Sequence, residues 1–153
     1  MVDIRHHGTC DAPLEVAFAY LDDYLNVSKW MFGIASFAPA AGKPSRGPGA
    51  TFEATFAVKP VRISSTVEVT EYVENEIIAF HSIKGFTNSS TWRFSPAGPE
   101  QTAIDVVFSY ELPGGLAGKA LGRALEPIVA LSIRESDRQL RKHVADYYAA
   151  TRR

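Results

Sequence analysis

The spacing of hydrophobic and polar positions changes twice along this chain. From Leu14 to Leu25, apolar residues recur near helical spacing with acidic residues on the other side, which predicts an amphipathic helix of two or three turns. It follows Asp11-Ala12-Pro13, where an acceptor side chain ahead of a proline is typical of a helix start. A second short helix is predicted through Val27 to Met31.

The spacing then becomes alternating, which is typical of strands with one apolar face. Six strands are predicted, the first on weak alternation only: Ile4 to Thr9, Ala50 to Val58, Val61 to Tyr72, Glu76 to Ile83, Thr87 to Phe94 and Thr102 to Glu111. Short turns such as Lys59-Pro60 join the last five, and strands joined in this way are antiparallel neighbours. Ala38 to Gly49, rich in proline and glycine, is predicted to be a loop, either an entrance to a site or a surface excursion.

Helical spacing returns at the end, from Leu116 to about Thr151. Pro127 falls inside this segment, so we expect a bend or a break there. One broad face carries apolar and small residues: Leu121, Leu125, Ile128, Val129, Ser132, Ile133, Ser136, Leu140, Val144 and Tyr147. The basic run of Arg134, Arg138, Arg141 and Lys142 is mixed with Glu135, Asp137 and Asp146, which favours a solvated helix face.

Composition narrows the class of protein. The 153 residues are 46% hydrophobic and 22% charged, which is typical of one soluble domain spanning residues 1–153. The net charge of -1 provides no global field for nucleic acid. The single cysteine, Cys10, excludes an intramolecular disulfide. No apolar run is long enough for a membrane span, and the first residues lack a secretory signal, so we expect a cytoplasmic protein.

The order of these elements resembles the helix-grip proteins of the START-like superfamily, which includes the Bet v 1 type and the polyketide cyclase/dehydrase and lipid-transport family. The resemblance covers the whole chain and includes Asp11-Ala12-Pro13 before the first helix and Tyr110-Glu111-Leu112-Pro113-Gly114-Gly115-Leu116 before the last. Trp30 is similar to an aromatic residue of bacterial members, but Met31-Phe32-Gly33 follows it without the usual proline.

The resemblance implies an α+β helix-grip fold, in which a curved antiparallel sheet of seven strands wraps around the long last helix. That is one strand more than the six predicted, so a further strand is expected inside the long second segment or around Ile34 to Ala38. The family's members share a cavity between sheet and helix rather than one chemistry.

Alternation assigns an inward face to the predicted strands, and that face is mostly aromatic and aliphatic with a few hydroxyl groups. Such a lining suits either a packed core or a small-molecule cavity, and the resemblance favours the cavity. The residues predicted to contact a ligand are Trp30, Phe52, Phe56, Phe80, Ser82, Ser90, Trp92, Phe108, Tyr110, Val129, Ser132 and Ser136.

Candidate catalytic groups are few. His6 and His7 are neighbours on a strand, so their side chains point to opposite faces and cannot chelate one metal ion, and no metal site is predicted. Cys10 precedes a helix but lacks a base in the sequence, which favours a structural role. Tyr110, with a nearby hydroxyl or His81, could act as an acid-base pair, although a phenol that bonds to the backbone is the simpler interpretation.

We therefore expect a carrier or sensor that binds a small hydrophobic or amphipathic molecule, such as a lipid, an aromatic polyketide-like compound or a sterol-like compound, without a cofactor. The alternative is an enzyme of the cyclase or dehydratase type that uses Tyr110 or His81. A third possibility is an interaction module whose groove takes a segment of a partner protein. The expected oligomeric state is a monomer or a homodimer.

Overall fold

One curled antiparallel sheet forms the body of the protein, which the computed structural model describes over residues 2–58, 61–111 and 116–151. Its strands lie in the order β1-β7-β6-β5-β4-β3-β2. Their bounds are β1 (Val2–Cys10), β2 (Ile34–Pro39), β3 (Thr51–Val58), β4 (Val61–Val73), β5 (Ile77–Gly85), β6 (Asn88–Gly98) and β7 (Gln101–Tyr110).

In the described part of the chain, three α-helices accompany the sheet: α1 (Leu14–Asp22), α2 (Val27–Trp30) and α3 (Leu116–Thr151). A turn of 3-10 helix at Tyr24–Asn26 joins the first two. The helix-grip fold predicted from the sequence is therefore confirmed. β2 is the additional strand, in the second of the two places considered. The predicted turn at Lys59-Pro60 and the segment Pro113-Gly114-Gly115 lie outside the described residues.

Some boundaries differ from the predictions. β6 continues past Phe94 to Gly98 because Pro96 lies beside a β-bulge, where a missing N–H is tolerated. The first helix ends at Asp22 instead of Leu25, since the Asp23 side chain accepts the N–H of Leu25 and starts the 3-10 turn. α3 continues through Pro127, so of the two expected outcomes the break is absent and the bend stays a prediction.

The start of α1 also differs from the prediction. Pro13 is itself the N-cap, with an extended ψ of 156°, and no side chain caps the helix. The carboxylate of Asp11 instead accepts a hydrogen bond from Nε2 of Gln101 at 3.0 Å, and Gln101 is the first residue of β7. Asp11 therefore ties the start of the helix to the sheet.

Aromatic contacts hold α1 against the sheet. Phe18 meets Tyr72 and Phe94 edge to face, with ring centroids 5.6 and 5.3 Å apart. The hydroxyl of Tyr72 donates to Oδ2 of Asp22 at 2.8 Å. Burial and this hydrogen bond raise the pKa of Tyr72 to about 12, so the phenol stays a donor at physiological pH.

A buried carboxylate joins α3 to the first strand. The prediction of a solvated helix face holds for Arg134, Arg138 and Lys142, which are exposed, but is wrong for Asp137. Asp137 is 0% exposed, and its Oδ2 lies 3.0 Å from Nε2 of His6 and 3.0 Å from Nε of Arg141. Burial raises the pKa of Asp137, and the charges of Arg141 and His6 oppose that shift. The guanidinium of Arg141 crosses β1 at Gly8, where a Cβ atom would lie 2.9 Å from Cζ. We call Asp137, His6 and Arg141 the α3–β1 clamp.

Candidate ligand-binding cavity

The inner face of the sheet and helices α2 and α3 line a partly open cavity of about 150 Å³. The sheet wall includes aromatic side chains from β3, β5, β6 and β7, because residues two apart on a strand share a face. The helical wall includes Trp30 of α2 and small residues of α3. Among the residues predicted to contact a ligand, those that line this cavity are Trp30, Phe56, Phe80, Ser90, Trp92, Phe108, Val129, Ser132 and Ser136.

The other candidates lie elsewhere. Phe52 is buried beyond the cavity and stacks on Phe37, with ring centroids 4.7 Å apart. Oγ of Ser82 accepts the backbone N–H of Asn88 at 2.9 Å, near the end of β5. His81 is exposed, since its side chain points away from that of Phe80.

Tyr110 is fully buried behind the lining and packs on the rings of Phe86 and Phe108. Its hydroxyl has no hydrogen-bond partner in the described part of the chain. Burial, with a smaller contribution from the charge of Glu126, raises the pKa of Tyr110. A phenol in this state can donate a proton but is a poor base near neutral pH. Because Tyr110 is buried behind the lining and His81 is exposed on the other face of the sheet, the geometry does not bring the two residues together.

Several lining residues were not among the predicted ones. Ile34 and Phe37 come from β2, which lies in one of the two places where a further strand is expected from the sequence. Met31 and Phe32 follow α2, and the latter is 38% exposed at the edge of the cavity. An apolar pair directly after a short helix was the available signal for this edge.

Hydroxyl and amide groups are the polar part of the lining, which is otherwise apolar. Among the described lining residues there is no Asp, Glu, Lys, Arg or His. Ser136 accepts the N–H of Phe32 at 2.9 Å, and Ser132 donates to the carbonyl of Ile128 at 2.7 Å. On the sheet, Asn88 donates to Oγ of Ser65 at 3.3 Å. The described lining residues can therefore orient a molecule by hydrogen bonds, but none of them carries a charge.

Gly33 allows the chain at the edge of the cavity to pack closely against β3. Its φ of +83° belongs to the left-handed region, which favours glycine. A Cβ atom here would overlap the ring of Phe56 and come within 2.8 Å of Val58. The absent side chain thus leaves room for a ring that lines the cavity.

Replacing Gly33 with alanine is expected to lower the free energy of unfolding by about 2 to 3 kcal/mol, because backbone strain is added to a displaced ring. Gly42→Ala is the matched control: φ is +76° there, but no atom lies within 4 Å of the added Cβ. It should cost only about 1 kcal/mol. Urea unfolding measures both variants, and equal losses would show that contact with Phe56 is unimportant.

Other chemistries find little support in the described residues. No group of three or more His, Cys, Asp or Glu side chains there could hold a metal ion. Burial is the main cause that raises the pKa of Cys10 to about 11, so its thiol stays protonated near neutral pH. Among the described helices, none has the length and hydrophobicity that a membrane span requires.

Solved structures share this fold. A protein from Thermus thermophilus is 19% identical with a TM-score of 0.81, covering 95% of this chain and 99% of its own. The Zhui aromatase/cyclase from Streptomyces sp. R1128 is 13% identical with a TM-score of 0.73, covering 99% and 96%. A START superfamily protein from Mycobacterium smegmatis is 19% identical with a TM-score of 0.62, covering 88% and 97%. At these identities the likeness shows the fold alone.

Sequence comparison gives a more specific result than the structural likeness. No curated protein shows significant sequence similarity to this chain. The family described as "Polyketide cyclase / dehydrase and lipid transport" matches residues 1–145, which is most of the chain. The protein therefore belongs to the polyketide cyclase/dehydrase and lipid transport family.

Proposed function

We propose that this protein binds a small hydrophobic or amphipathic molecule in the cavity between the sheet and α3, as a carrier or sensor. The observation that carries the proposal is the lining itself, which is apolar, enclosed on two sides and supplied with a few hydroxyl groups. Small-molecule sites have this composition, because apolar area provides affinity and sparse polar groups fix orientation.

The volume limits the size of the ligand. An apolar cavity of about 150 Å³ admits a molecule the size of benzene. Pockets for drug-sized ligands are larger, at roughly 300–1,000 Å³. The ligand that fits wholly inside is therefore a single ring or a short branched chain, and a longer lipid or a fused-ring compound would extend out of the cavity or require it to widen.

An enzyme of the cyclase or dehydratase type is the alternative. The description of the family includes such activities. The lining supports it less well, because neither Tyr110 nor His81 lines the cavity and the described lining residues have no ionisable side chain. General acid-base catalysis needs such a group within hydrogen-bond reach of the substrate. Binding without chemistry is the function that fits these residues best.

Tryptophan fluorescence tests the proposal, since the only two tryptophans of the chain, Trp30 and Trp92, both line the cavity. Toluene is a suitable first probe because it is neutral and consists of one ring. We expect a saturable change of the emission, with a dissociation constant on the order of 0.1 to 1 mM for a ligand of this size.

A thermal shift provides the second measurement. At ten times the dissociation constant, toluene should stabilise the fold by about 1.4 kcal/mol and raise Tm by about 3 to 5 °C. Native mass spectrometry of protein purified from its own host would reveal a ligand that co-purifies. If toluene, octanol and decane all leave both the emission and Tm unchanged, the proposed function is wrong.

A further inference from the structure

Two hydroxyl groups of the cavity accept a hydrogen bond from the protein and keep their own hydrogen available. Ser136 accepts a hydrogen bond from the N–H of Phe32, which leaves its own hydroxyl hydrogen available. Oγ of Ser65 likewise accepts from Asn88. Each hydroxyl has one hydrogen to donate. A molecule that entered this cavity would therefore meet groups that can donate to it.

Trp30 adds the donor that matters most. Its side chain lines the cavity and is only 3% exposed, and its Nε1 has no hydrogen-bond acceptor within the described part of the chain. Buried polar groups nearly always have a partner, so an unpaired N–H on a residue that lines a cavity marks a place where a bound molecule could accept a hydrogen bond. The neighbouring Trp92 meets Trp30 edge to face, with ring centroids 5.3 Å apart.

The absence of charge in the described lining limits the ligand further. Transfer of an ionised carboxylate or ammonium group from water into an apolar site is strongly unfavourable unless an opposite charge or several hydrogen bonds compensate it. No cationic or anionic side chain of the described lining residues could do so. A neutral ligand is therefore favoured over an ionised fatty acid or an amine.

We propose, building on the proposed function, that the ligand is a neutral compound with a hydrogen-bond acceptor, such as a ketone or ether oxygen, that receives the indole N–H of Trp30. Its hydrocarbon part packs against the aromatic side chains of the sheet wall, Phe56, Phe80 and Phe108. This assigns Trp30 as the residue that selects for oxygen-containing ligands over pure hydrocarbons of the same shape.

The test uses two ligands of matched shape, cyclohexanone and methylenecyclohexane, which differ only in an oxygen that replaces a CH₂ group. The probe is the pair of indole N–H signals in a ¹H–¹⁵N spectrum, assigned with the Trp92→Phe variant. With cyclohexanone, the Trp30 proton signal should move downfield as a hydrogen bond forms. With methylenecyclohexane it should not. An N–H that faces the Trp92 ring would resonate upfield and remain there with cyclohexanone, which would overturn the proposal.

Calorimetry with Trp30→Phe gives an independent measurement. The measured quantity is the affinity for cyclohexanone divided by the affinity for methylenecyclohexane. This ratio should be roughly 2- to 12-fold lower in the variant than in the native protein, because only cyclohexanone loses a hydrogen bond. The change of cavity volume is the same for both ligands. Equal effects on the two ligands would overturn the role of Trp30. If the variant does not fold, the indole signals of the native protein decide the question alone.

Charge is tested by a second matched pair, cyclohexyl methyl ketone and cyclohexanecarboxylate at pH 7.5. The ketone should bind at least about 10-fold more tightly, because the carboxylate loses its hydration in the cavity. Equal affinities would show that the cavity accepts charge. These failures are distinguishable from failure of the proposed function: methylenecyclohexane that binds without selectivity overturns only this inference, whereas no binding by any compound overturns both.

Discussion

Replacing Arg141 with methionine is expected to lower the free energy of unfolding by about 3 to 5 kcal/mol near neutral pH, because it leaves a buried carboxylate without its guanidinium partner. Asp137 is 0% exposed, and one of its oxygens already has no partner among the described residues. Methionine keeps an unbranched apolar stem over Gly8, so the loss arises mainly from the charge. Urea unfolding followed by circular dichroism measures it.

The effect should depend on pH in a defined direction. Burial raises the pKa of Asp137 above the ordinary value of 3.8, and removal of Arg141 takes away the main charge that opposes the shift. A raised pKa means that the folded state holds a proton that the unfolded chain releases, so stability falls as pH rises from the unfolded to the folded pKa. The variant should therefore be more stable at pH 5 than at pH 8.

Two further variants distinguish the effect of an unpaired buried carboxylate from the effect of removing an arginine side chain. Arg138→Met removes an exposed partner of Glu135 on the same helix, and should cost at most about 1 kcal/mol. The double variant Arg141→Met with Asp137→Leu replaces the pair by apolar side chains, and should recover most of the loss. A double variant as unstable as Arg141→Met alone would contradict the assigned cause.

Replacing Ser90 with leucine is expected to abolish binding of toluene, with a loss of at least about 100-fold, or ~2.7 kcal/mol. Ser90 lies between Phe80 and Phe108 in the register of β5, β6 and β7, and all three side chains line the cavity. The branched side chain would occupy space that the ligand needs. Filling a cavity usually maintains or raises stability, by about 0.5 to 2 kcal/mol.

Ser89→Leu is the matched control, with the same substitution one residue earlier on the same strand. Ser89 pairs with His81 and Ser109 and belongs to the opposite face of the sheet. It should leave the affinity for toluene within about twofold, a difference of less than ~0.5 kcal/mol. If Ser90→Leu unfolds the protein, or binds toluene normally while folded, the cavity does not have the described geometry.

Much of the fold was predictable because strong period-two patterns are a local property. The alternation from Phe52 to Val58 identifies β3 without knowledge of any partner. β2 was harder to predict from the sequence, because its six residues show little alternation of polar and apolar side chains. It also pairs with β3 across a register shift, which depends on the partner strand. The end of β6 was missed because Pro96 is usually a sign of a turn, and only the bulge beside it explains its place in a strand.

The site was less predictable than the fold, because alternation gives the face of a side chain and not its neighbours. Phe52 faces inward as expected, but Phe37 covers it from β2, so it does not line the cavity. The residues of the α3–β1 clamp could not be predicted for the same reason. Asp137 looked like one charge of a solvated face, since its partner His6 lies near the other end of the chain.

The pairing of β1 with β7 has a consequence for how the chain is made on the ribosome. Cys10 pairs with Thr102 and Val2 pairs with Tyr110, so the first strand emerges long before its partner exists. At typical elongation rates that delay lasts roughly 5 to 20 s. During this interval the nascent β1 has an unpaired edge, which makes co-translational chaperones and early aggregation relevant to the yield of this protein.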